Sequence, residues 1–420
     1  MSHGPSKILV DVTPILPHGK NGGAKIFVLE LLNRLSLQYP KTHFTLLTQS
    51  ISRQEFKGLE RSNVTCLPVL NSSTKESVKP FFLKSVSRLY GFLPDHLGSM
   101  AHKIGYRFYE SYKRVSLRPT EIFKADLLFC PMTAPVFRKK GLPTVCTIYD
   151  LQHKTYPLNF SRAEIVMRDQ IFSNACRYGN GLAAISNYSR NSAIEHGAIG
   201  QKRIRTIYPR LARRISARRD DQKILCEWNL TPGEYLLYPG NFWKHKNHEM
   251  LLTAFSIALR NGLHDKIKLV LTGEACDRQV YLANAVRAMN LSGRVHFVGY
   301  LSDAAFSTIM KNCRAVVFPS LYEGFGLPVI EAMAAGVPVA CSNRTCLPEI
   351  VCQAALLFDP RMPAEMAEAI GTIVKDDGLR SKLTAAGKIR SDEFHDSGRM
   401  ASEYWDLFCH VVQTAKKRVP

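Results

Sequence analysis

Two glutamates, Glu323 and Glu331, lie eight positions apart on either side of a Gly-Phe-Gly-Leu-Pro turn. Glycine lets the backbone of such a turn approach a ligand closely, because it has no Cβ. The apolar residues before the turn predict a buried strand, and those from Pro328 onward predict a helix. Amides and the dipole at a helix start favour an anion such as a diphosphate, and a carboxylate one turn further on can accept hydrogen bonds from two sugar hydroxyls. The segment therefore predicts a phosphorylated-sugar site, the alternative being two solvated glutamates beside an ordinary turn.

The same segment resembles the donor-binding signature of retaining glycosyltransferases with the GT-B fold, family 4 (glycosyl transferases group 1), of the bacterial surface-polysaccharide type. In that family the two glutamates keep this spacing around the glycine turn. The resemblance implies that Glu323 meets the donor sugar and that Glu331 binds the ribose of the nucleotide. It also implies that the sugar and phosphates contact the loop amides, which here belong to Gly324, Phe325, Gly326 and Leu327.

A basic loop between a predicted strand and helix contains Lys244 and Lys246. By resemblance, Lys246 contacts the donor diphosphate and Lys244 is a neighbouring candidate, whereas Asn241 stands where many relatives carry Arg. Ligands of doubly wound sheets bind at the carboxyl ends of the strands. Gly273 and Leu301 follow later strands of the same series, so they are candidates for donor binding, with the backbone near Leu301 suited to the base.

Four further candidates belong to the first half of the chain. Gly22 and Gly23 resemble the glycine loop that faces the donor phosphate and the acceptor. Asp150 matches the second member of a His-Asp pair that the family often carries near the transferred sugar. Tyr149 stands in place of the usual His, and His153 is the nearest alternative. An Asp that caps the following turn is the other interpretation of Asp150.

Strand and helix patterns alternate through the chain, which predicts an α/β fold. Two successive series of similar size predict two Rossmann-like domains with doubly wound parallel sheets, and the resemblance implies that they face a cleft. We predict an N-terminal acceptor-binding domain at 1–208, a linker at 209–223, a nucleotide-sugar domain at 224–395 and a C-terminal helix at 396–420. By resemblance that helix crosses back onto the first domain; packing within the second domain is the alternative.

Composition limits the class of protein. The 420 residues carry a formal net charge of +21, which indicates anionic partners. No apolar run reaches the length of about eighteen residues that a membrane-spanning helix needs, and the N-terminus lacks a signal-peptide core, so we expect a cytoplasmic protein. The eleven cysteines lack paired spacing, which argues against a disulfide framework or a metal site.

The resemblance implies that the N-terminal domain receives the acceptor, and this domain carries a basic, aromatic-rich insert at about 75–120. Basic helices with an aromatic face can lie on anionic membranes, so the insert favours a lipid-linked acceptor and a peripheral position at the inner face of the cytoplasmic membrane. A solvated helical pair packed on the domain is the alternative. No nucleic-acid-binding motif is visible, so we expect no nucleic acid partner.

These features predict a metal-independent retaining glycosyltransferase that needs no cofactor. It would move a hexose, with mannose favoured, from a nucleotide diphosphate sugar to a glycan or lipid-linked glycan in lipopolysaccharide, capsule or other polysaccharide biosynthesis. The alternatives are a GT-B nucleotide-sugar epimerase and a non-catalytic basic protein that binds membrane or nucleic acid. The predicted catalytic residues are Glu323, Asp150, His153 and Lys246.

Overall fold

The computed structural model describes most of the chain, namely residues 4–17, 21–70, 124–133, 135–211 and 222–417. The predicted insert at 75–120 and residues 212–221 of the predicted linker lie outside the described residues. The chain divides into two compact units, and each is described by itself. The first unit is Met1–Tyr208 with Ser397–Pro420, and the second unit is Pro209–Asp396.

The first unit is built on a seven-stranded parallel sheet with the strand order β3-β2-β1-β4-β5-β6-β7. Its central strands are short apolar runs that are buried along their whole length, as expected for a parallel sheet covered on both faces. The strands are β1 (Lys7–Asp11), β2 (His43–Gln49), β3 (Val64–Leu70), β4 (Leu127–Cys130), β5 (Thr144–Ile148), β6 (Gly181–Ala184) and β7 (Ile204–Thr206).

Helices follow β1, β5 and β6, in agreement with the predicted alternation of strand and helix. One of them, α3, begins with a capping box in which Ser161 and Glu164 satisfy each other's backbone N–H groups. The described helices of this unit are α1 (Gly22–Gln38), α2 (Gln152–Thr155), α3 (Arg162–Tyr178), α4 (Asn187–Gly197) and, at the C-terminal end of the chain, α13 (Ser397–Lys416).

The last helix, α13, buries an apolar face in the first unit. The rings of Tyr404 and Phe408 lie 5.5 and 5.0 Å from that of Phe129 on β4. The Tyr404 hydroxyl is hydrogen-bonded to Thr147 Oγ1 at 3.1 Å. A Cβ at Gly181 would come within 2.6 Å of Val411, so the absence of a side chain there lets helix and sheet approach closely.

The second unit has a six-stranded parallel sheet with the order β10-β9-β8-β11-β12-β13. Within the unit this is the 3-2-1-4-5-6 order of doubly wound folds, in which the chain reverses direction across the sheet between β8 and β11. The strands are β8 (Tyr235–Pro239), β9 (Lys268–Thr272), β10 (Val295–Gly299), β11 (Ala315–Phe318), β12 (Val339–Ser342) and β13 (Leu356–Phe358).

Helices connect these strands and pack on the sheet, so both units confirm the predicted α/β class. The helices of the second unit are α5 (Gln222–Glu227), α6 (His248–Arg260), α7 (Asp277–Ala288), α8 (Asp303–Asn312), α9 (Leu327–Ala334), α10 (Leu347–Val351), α11 (Pro363–Lys375) and α12 (Asp377–Asp392).

The helical pattern of the C-terminal sequence is interrupted in the structure. The pattern extends back to Ser391, ahead of the predicted boundary at 396, but α12 ends at Asp392 and α13 begins at Ser397. Between them Phe394 is buried and its ring meets Phe325 edge-on at 5.6 Å. Burial of this side chain in the second unit interrupts the helix, which is a tertiary contact that helical periodicity does not reveal.

Replacing Phe408 with alanine tests how much α13 stabilises the first unit. Phe408 is fully buried, so Phe408→Ala removes a large apolar side chain and leaves a cavity. We expect the free energy of unfolding to fall by about 3–5 kcal/mol. Chemical denaturation followed by circular dichroism measures the change. The exposed His410 on the same helix supplies the control, His410→Ala, and an equal loss in both variants would contradict a structural role for this face of α13.

Candidate active site

An ion pair joins two loops of the second unit. The loops lie at the point where the strand order of its sheet reverses, between β8 and β11. Lys246 Nζ donates to Glu323 Oε1 at 2.6 Å, and the two side chains are 12% and 11% exposed. Lys246 lies in the loop after β8 and Glu323 in the loop after β11. These strands are neighbours in the sheet, and ligands of such sheets bind where the strand order reverses. The structure therefore brings together two of the four residues predicted to be catalytic.

Backbone and side-chain hydrogen bonds hold the same two loops together. Leu321 N–H donates to the His245 carbonyl at 2.8 Å. Asn247 donates from Nδ2 to the carbonyls of Pro319 at 3.1 Å and Pro360 at 2.7 Å. Asn247 has a φ of +62°, a left-handed conformation that Asn tolerates better than most residues. Its role as a link was not predicted, although Asn directly after a basic residue was a usable signal.

Tyr238, at the end of β8, forms a third link under the ion pair. Its hydroxyl donates to the Lys246 carbonyl at 2.7 Å and lies 3.3 Å from Ser320 Oγ. Burial raises the pKa of Tyr238 well above its ordinary value, and the nearby Glu323 carboxylate adds to the increase. The hydroxyl therefore stays protonated and remains a donor to the loop that carries Lys246.

The glycine turn after Glu323 leads directly into α9. Gly326 precedes the helix with a φ of +88°, and a Cβ there would come within 2.7 Å of Leu347. Leu327 is the first helical residue, no side chain caps the start, and the first turn contains no acidic residue. Gly324 and Phe325 complete the turn, with Phe325 buried against Phe394. A helix start favours an anion in general, and the predicted contact of these amides with a diphosphate stays a prediction.

Glu331 lies on α9 and is almost fully buried, with 1% of its surface exposed. It occupies the second turn of the helix, as the spacing predicted. So deep a position is unusual for a glutamate. Its predicted contact with a ribose stays a prediction, because little of the carboxylate is open to a ligand in this conformation.

The other predicted donor-binding residues of the second unit lie in loops at the carboxyl ends of the same strands as the Lys246–Glu323 pair or of neighbouring strands. Gly273 follows β9, where a Cβ would come within 2.7 Å of the Gly240 carbonyl. Asn241 accepts a hydrogen bond from Glu274 N–H at 2.9 Å, so it links the loops after β8 and β9. Leu301 follows β10 and packs against the core, and Lys244 is exposed.

The predicted glycine loop of the first unit forms the start of α1. Gly22, with a φ of +51°, is the first residue of the helix, and Gly23 is the second. Asn21 accepts a hydrogen bond from Leu16 N–H at 2.7 Å instead of capping the helix. The first turn contains no acidic residue, and the predicted contact of Gly22 and Gly23 with a phosphate stays a prediction.

His153 lies on α2 and is buried. Its Nε2 is 2.8 Å from Asp169 Oδ1 on α3, which also accepts a hydrogen bond from Lys154 Nζ at 2.7 Å. Burial lowers the pKa of His153 below its ordinary value, although the Asp169 carboxylate opposes the change. The carboxylate orients the ring with Nε2 toward α3.

Asp150 and Tyr149 follow β5. Asp150 Oδ1 accepts a hydrogen bond from Gln152 N–H at 3.1 Å, which is the turn-capping contact weighed as the alternative to a catalytic role. The Tyr149 ring meets Phe27 edge-on at 5.9 Å, and its hydroxyl is buried without a hydrogen-bond partner among the described residues. Burial raises the pKa of that hydroxyl well above its ordinary value. A catalytic role for Asp150 stays a prediction.

Comparison with sequence families gives a match over residues 226–390, to the family described as Glycosyl transferases group 1. We call residues 226–390 the group 1 domain, after the family that they match. This domain contains the Lys246–Glu323 ion pair, the glycine turn and Glu331. The match confirms the resemblance to glycosyl transferases group 1 for this part of the chain, while family 4 and retaining chemistry stay predictions.

One similar curated protein is O-antigen chain mannosyltransferase B of Escherichia coli. It is 34% identical to this chain over 171 residues, which are 41% of this chain and 45% of the relative. The chain thus matches less than half the length of this relative. The alignment is shorter than the chain, so the similarity concerns a part of each protein.

Solved structures resemble the chain over nearly its whole length. A structure of Anabaena Alr3699/HepE in complex with UDP and glucose has a TM-score of 0.68 and 16% identity, covering 96% of this chain and 99% of that one. A structure of WaaG, a glycosyltransferase involved in lipopolysaccharide biosynthesis, has a TM-score of 0.68 and 14% identity at the same coverage. At these identities the likeness concerns the fold, which is the predicted GT-B fold.

Two features are absent from the described residues. No helix among them is long and apolar enough to cross a membrane. Within the same part of the chain, no group of three or more His, Cys, Asp or Glu side chains is arranged to hold a metal ion.

A buried histidine in the group 1 domain should make the stability of the domain depend on pH. His248 is fully buried between the rings of Tyr238 and Phe242, at 4.8 and 5.0 Å. Burial, with the positive charges of Lys246 and Arg278, lowers its pKa from 6.5 to about 3. The unfolded chain therefore binds this proton near pH 6.5 while the folded domain does not, so stability is lost as the pH falls below 6.5 toward about 3.

We expect His248→Phe to flatten this pH dependence. The free energy of unfolding of the wild type should fall by up to about 1.4 kcal/mol per pH unit more than that of the variant below pH 6.5. Denaturant titrations between pH 6.5 and 5 measure the two slopes. The exposed His395 supplies the control, His395→Gln, which should keep the wild-type slope. Equal slopes for wild type and His248→Phe would show that His248 does not stay neutral in the folded domain.

The buried hydroxyl of Tyr149 gives a second prediction, with a matched control. Tyr149→Phe removes a buried hydroxyl that has no partner in the described structure, so the free energy of unfolding should rise by about 1 kcal/mol. Tyr404→Phe removes a buried hydroxyl that is bonded to Thr147, so it should lower the same quantity by about 1 kcal/mol. Denaturant titrations of the wild type and the two variants measure the free energy of unfolding. A lower value in both variants would mean that the Tyr149 hydroxyl has a hydrogen-bond partner.

Proposed function

We propose that this protein is a retaining, metal-independent family 4 glycosyltransferase. It moves a hexose, with mannose favoured, from a nucleotide diphosphate sugar to a glycan or lipid-linked glycan in surface-polysaccharide biosynthesis. The observation that carries the proposal is the Lys246–Glu323 ion pair where the strand order of the group 1 domain reverses. A cation and a carboxylate at that position are what transfer from a sugar diphosphate requires.

Lys246 would stabilise the diphosphate as it leaves. An ammonium group has three N–H donors, and the contact with Glu323 uses one of them. It can therefore donate to phosphate oxygens while it remains paired. Both side chains are largely shielded from water, so the attraction to the developing negative charge is stronger than in bulk solvent.

The start of α9 would supply further donors to the diphosphate. The amides from Gly324 to Leu327 and the helix dipole favour negative charge, as does the absence of an acidic residue in the first turn. Glu331, one turn further on, would bind the ribose. A cationic side chain with a helix start gives the leaving group its counter-charge, which is the basis for proposing a reaction without metal.

Glu323 would meet the donor sugar while Lys246 holds its carboxylate. In this proposal the acceptor hydroxyl attacks from the face that the diphosphate leaves, and a phosphate oxygen takes the hydroxyl proton. The C1–O bond to phosphate breaks and the new glycosidic bond forms with the same anomeric configuration. Asp150 and His153, in the first unit, are proposed to contact the sugar, and Gly22 and Gly23 the donor phosphate.

Mannose is favoured as the donor sugar by the name of the O-antigen chain relative. The complex of the Anabaena protein with UDP and glucose supports a nucleotide sugar as the donor class. A lipid-linked acceptor is proposed from the basic aromatic insert at 75–120, which would place the enzyme in the cytoplasm at an anionic membrane surface. The high positive charge supports the same assignment.

Two substitutions in the group 1 domain test the proposal. Lys246→Ala removes the cation that meets the leaving group, so kcat should fall by on the order of 100-fold. Glu331→Ala removes the ribose contact, so the Kd for the donor should rise while the fold is kept. GDP-, UDP- and dTDP-sugars should be screened for hydrolysis and for transfer to lipid-linked glycans, and calorimetry should measure donor binding.

Lys266→Ala is the control. The Lys266 side chain is 68% exposed, and the residue lies just before β9, at the amino ends of the strands and away from the proposed site. It should leave kcat and Kd unchanged. Unchanged donor binding in both Lys246→Ala and Glu331→Ala would contradict the assigned site. Conversion of the donor sugar without an acceptor would indicate an epimerase, and failure to bind any nucleotide sugar would favour the non-catalytic alternative.

A further inference from the structure

The peptide groups on both sides of Glu323 are held by the loop between β12 and α10. Glu323 N–H donates to Thr345 Oγ1 at 3.1 Å. The Cys346 thiol donates to the Glu323 carbonyl with an Sγ–O distance of 3.2 Å. Two consecutive side chains thus hold the backbone N–H and C=O of the residue that pairs with Lys246.

Thr345 adopts a backbone conformation that is costly for its residue type. Its φ is +58°, in the left-handed region where Gly and Asn are common and β-branched residues are rare. A residue persists in such a conformation only where its surroundings impose it, and these sites concentrate where function needs a fixed geometry. Glycine would fit the backbone better here but would supply no acceptor for Glu323.

Cys346 is equally constrained. The residue is fully buried, and burial raises the pKa of its thiol well above the ordinary value, with the Glu323 charge contributing. The thiol therefore keeps its proton and can donate to the Glu323 carbonyl. A thiol is a weak donor, so Thr345 makes the stronger of the two contacts.

We propose that Thr345 and Cys346 are positioning residues that fix the Glu323 peptide and so hold its carboxylate against Lys246. The two contacts restrain the peptide groups before and after Glu323, so they limit its backbone dihedrals and restrict where the side chain can reach. The consequence for catalysis rests on the proposed glycosyltransferase activity, and the contact itself does not. Displacement of a reacting or stabilising group by about 1 Å is enough to slow an enzyme strongly.

Substitutions at Thr345 separate positioning from stability. Thr345→Val keeps the shape and removes the acceptor, so kcat should fall by on the order of 10-fold or more with a smaller change in the donor KM. Thr345→Ser keeps the acceptor and should retain most of the wild-type kcat. Thr345→Gly relieves the strained backbone but also lacks the acceptor, so its Tm should equal or exceed that of the wild type while its kcat is low.

Hydrogen exchange of the Glu323 amide tests the contact without any assay of transfer. Exchange measured by mass spectrometry over peptides spanning Glu323 should be faster in Thr345→Val and Thr345→Gly than in the wild type, and unchanged in Thr345→Ser. If the wild type shows this protection but transfers no sugar, the proposed function fails and the contact stands. Wild-type exchange in Thr345→Val, or an unchanged kcat despite fast exchange, would overturn the positioning role.

Discussion

The second unit is organised around an ion pair that is largely removed from water. Lys246 and Glu323 are each about one-tenth exposed, and a buried charge left without its partner costs about 3–5 kcal/mol. The two loops must therefore keep their spacing. Asn247 and Tyr238 supply this constraint through hydrogen bonds to backbone carbonyls, while Thr345 restrains the glutamate from the other side.

Sheet topology explains how residues separated by 77 positions come to share a bond. In the order β10-β9-β8-β11-β12-β13, the first and fourth strands of the unit are neighbours, and the helices that follow them lie on opposite faces of a doubly wound sheet. The loops after β8 and β11 therefore leave the sheet side by side at the carboxyl ends of these strands, where hydrogen bonds join them. A cation from one loop and a carboxylate from the other face each other there.

Local patterns in the sequence predicted strands and the glycine turn, because these depend on residue type at short range, whereas Lys246 was predicted from the family resemblance. The contacts of Asn247 and Thr345 join loops that are distant in sequence, so periodicity and spacing did not predict these contacts. Phe394 shows the same limit, since its burial interrupts a pattern that is helical by sequence alone. Asp150 could be interpreted either way from its position, and its hydrogen bond to Gln152 is the contact that the structure adds.

Left-handed backbone conformations recur in the loops at the carboxyl ends of the second sheet. Their conformational free energy differs from one residue type to another. Gly326 and Asn247, with φ of +88° and +62°, are residue types for which the conformation is inexpensive. Thr345, at +58°, is not. The three residues lie in the loops after β11, β8 and β12, so the position that bears the strain is also the one whose side chain bonds the Glu323 peptide. If the backbone conformation alone mattered, glycine would be favoured at position 345. The proposed need for a hydroxyl that accepts a hydrogen bond from Glu323 N–H explains why threonine is there instead.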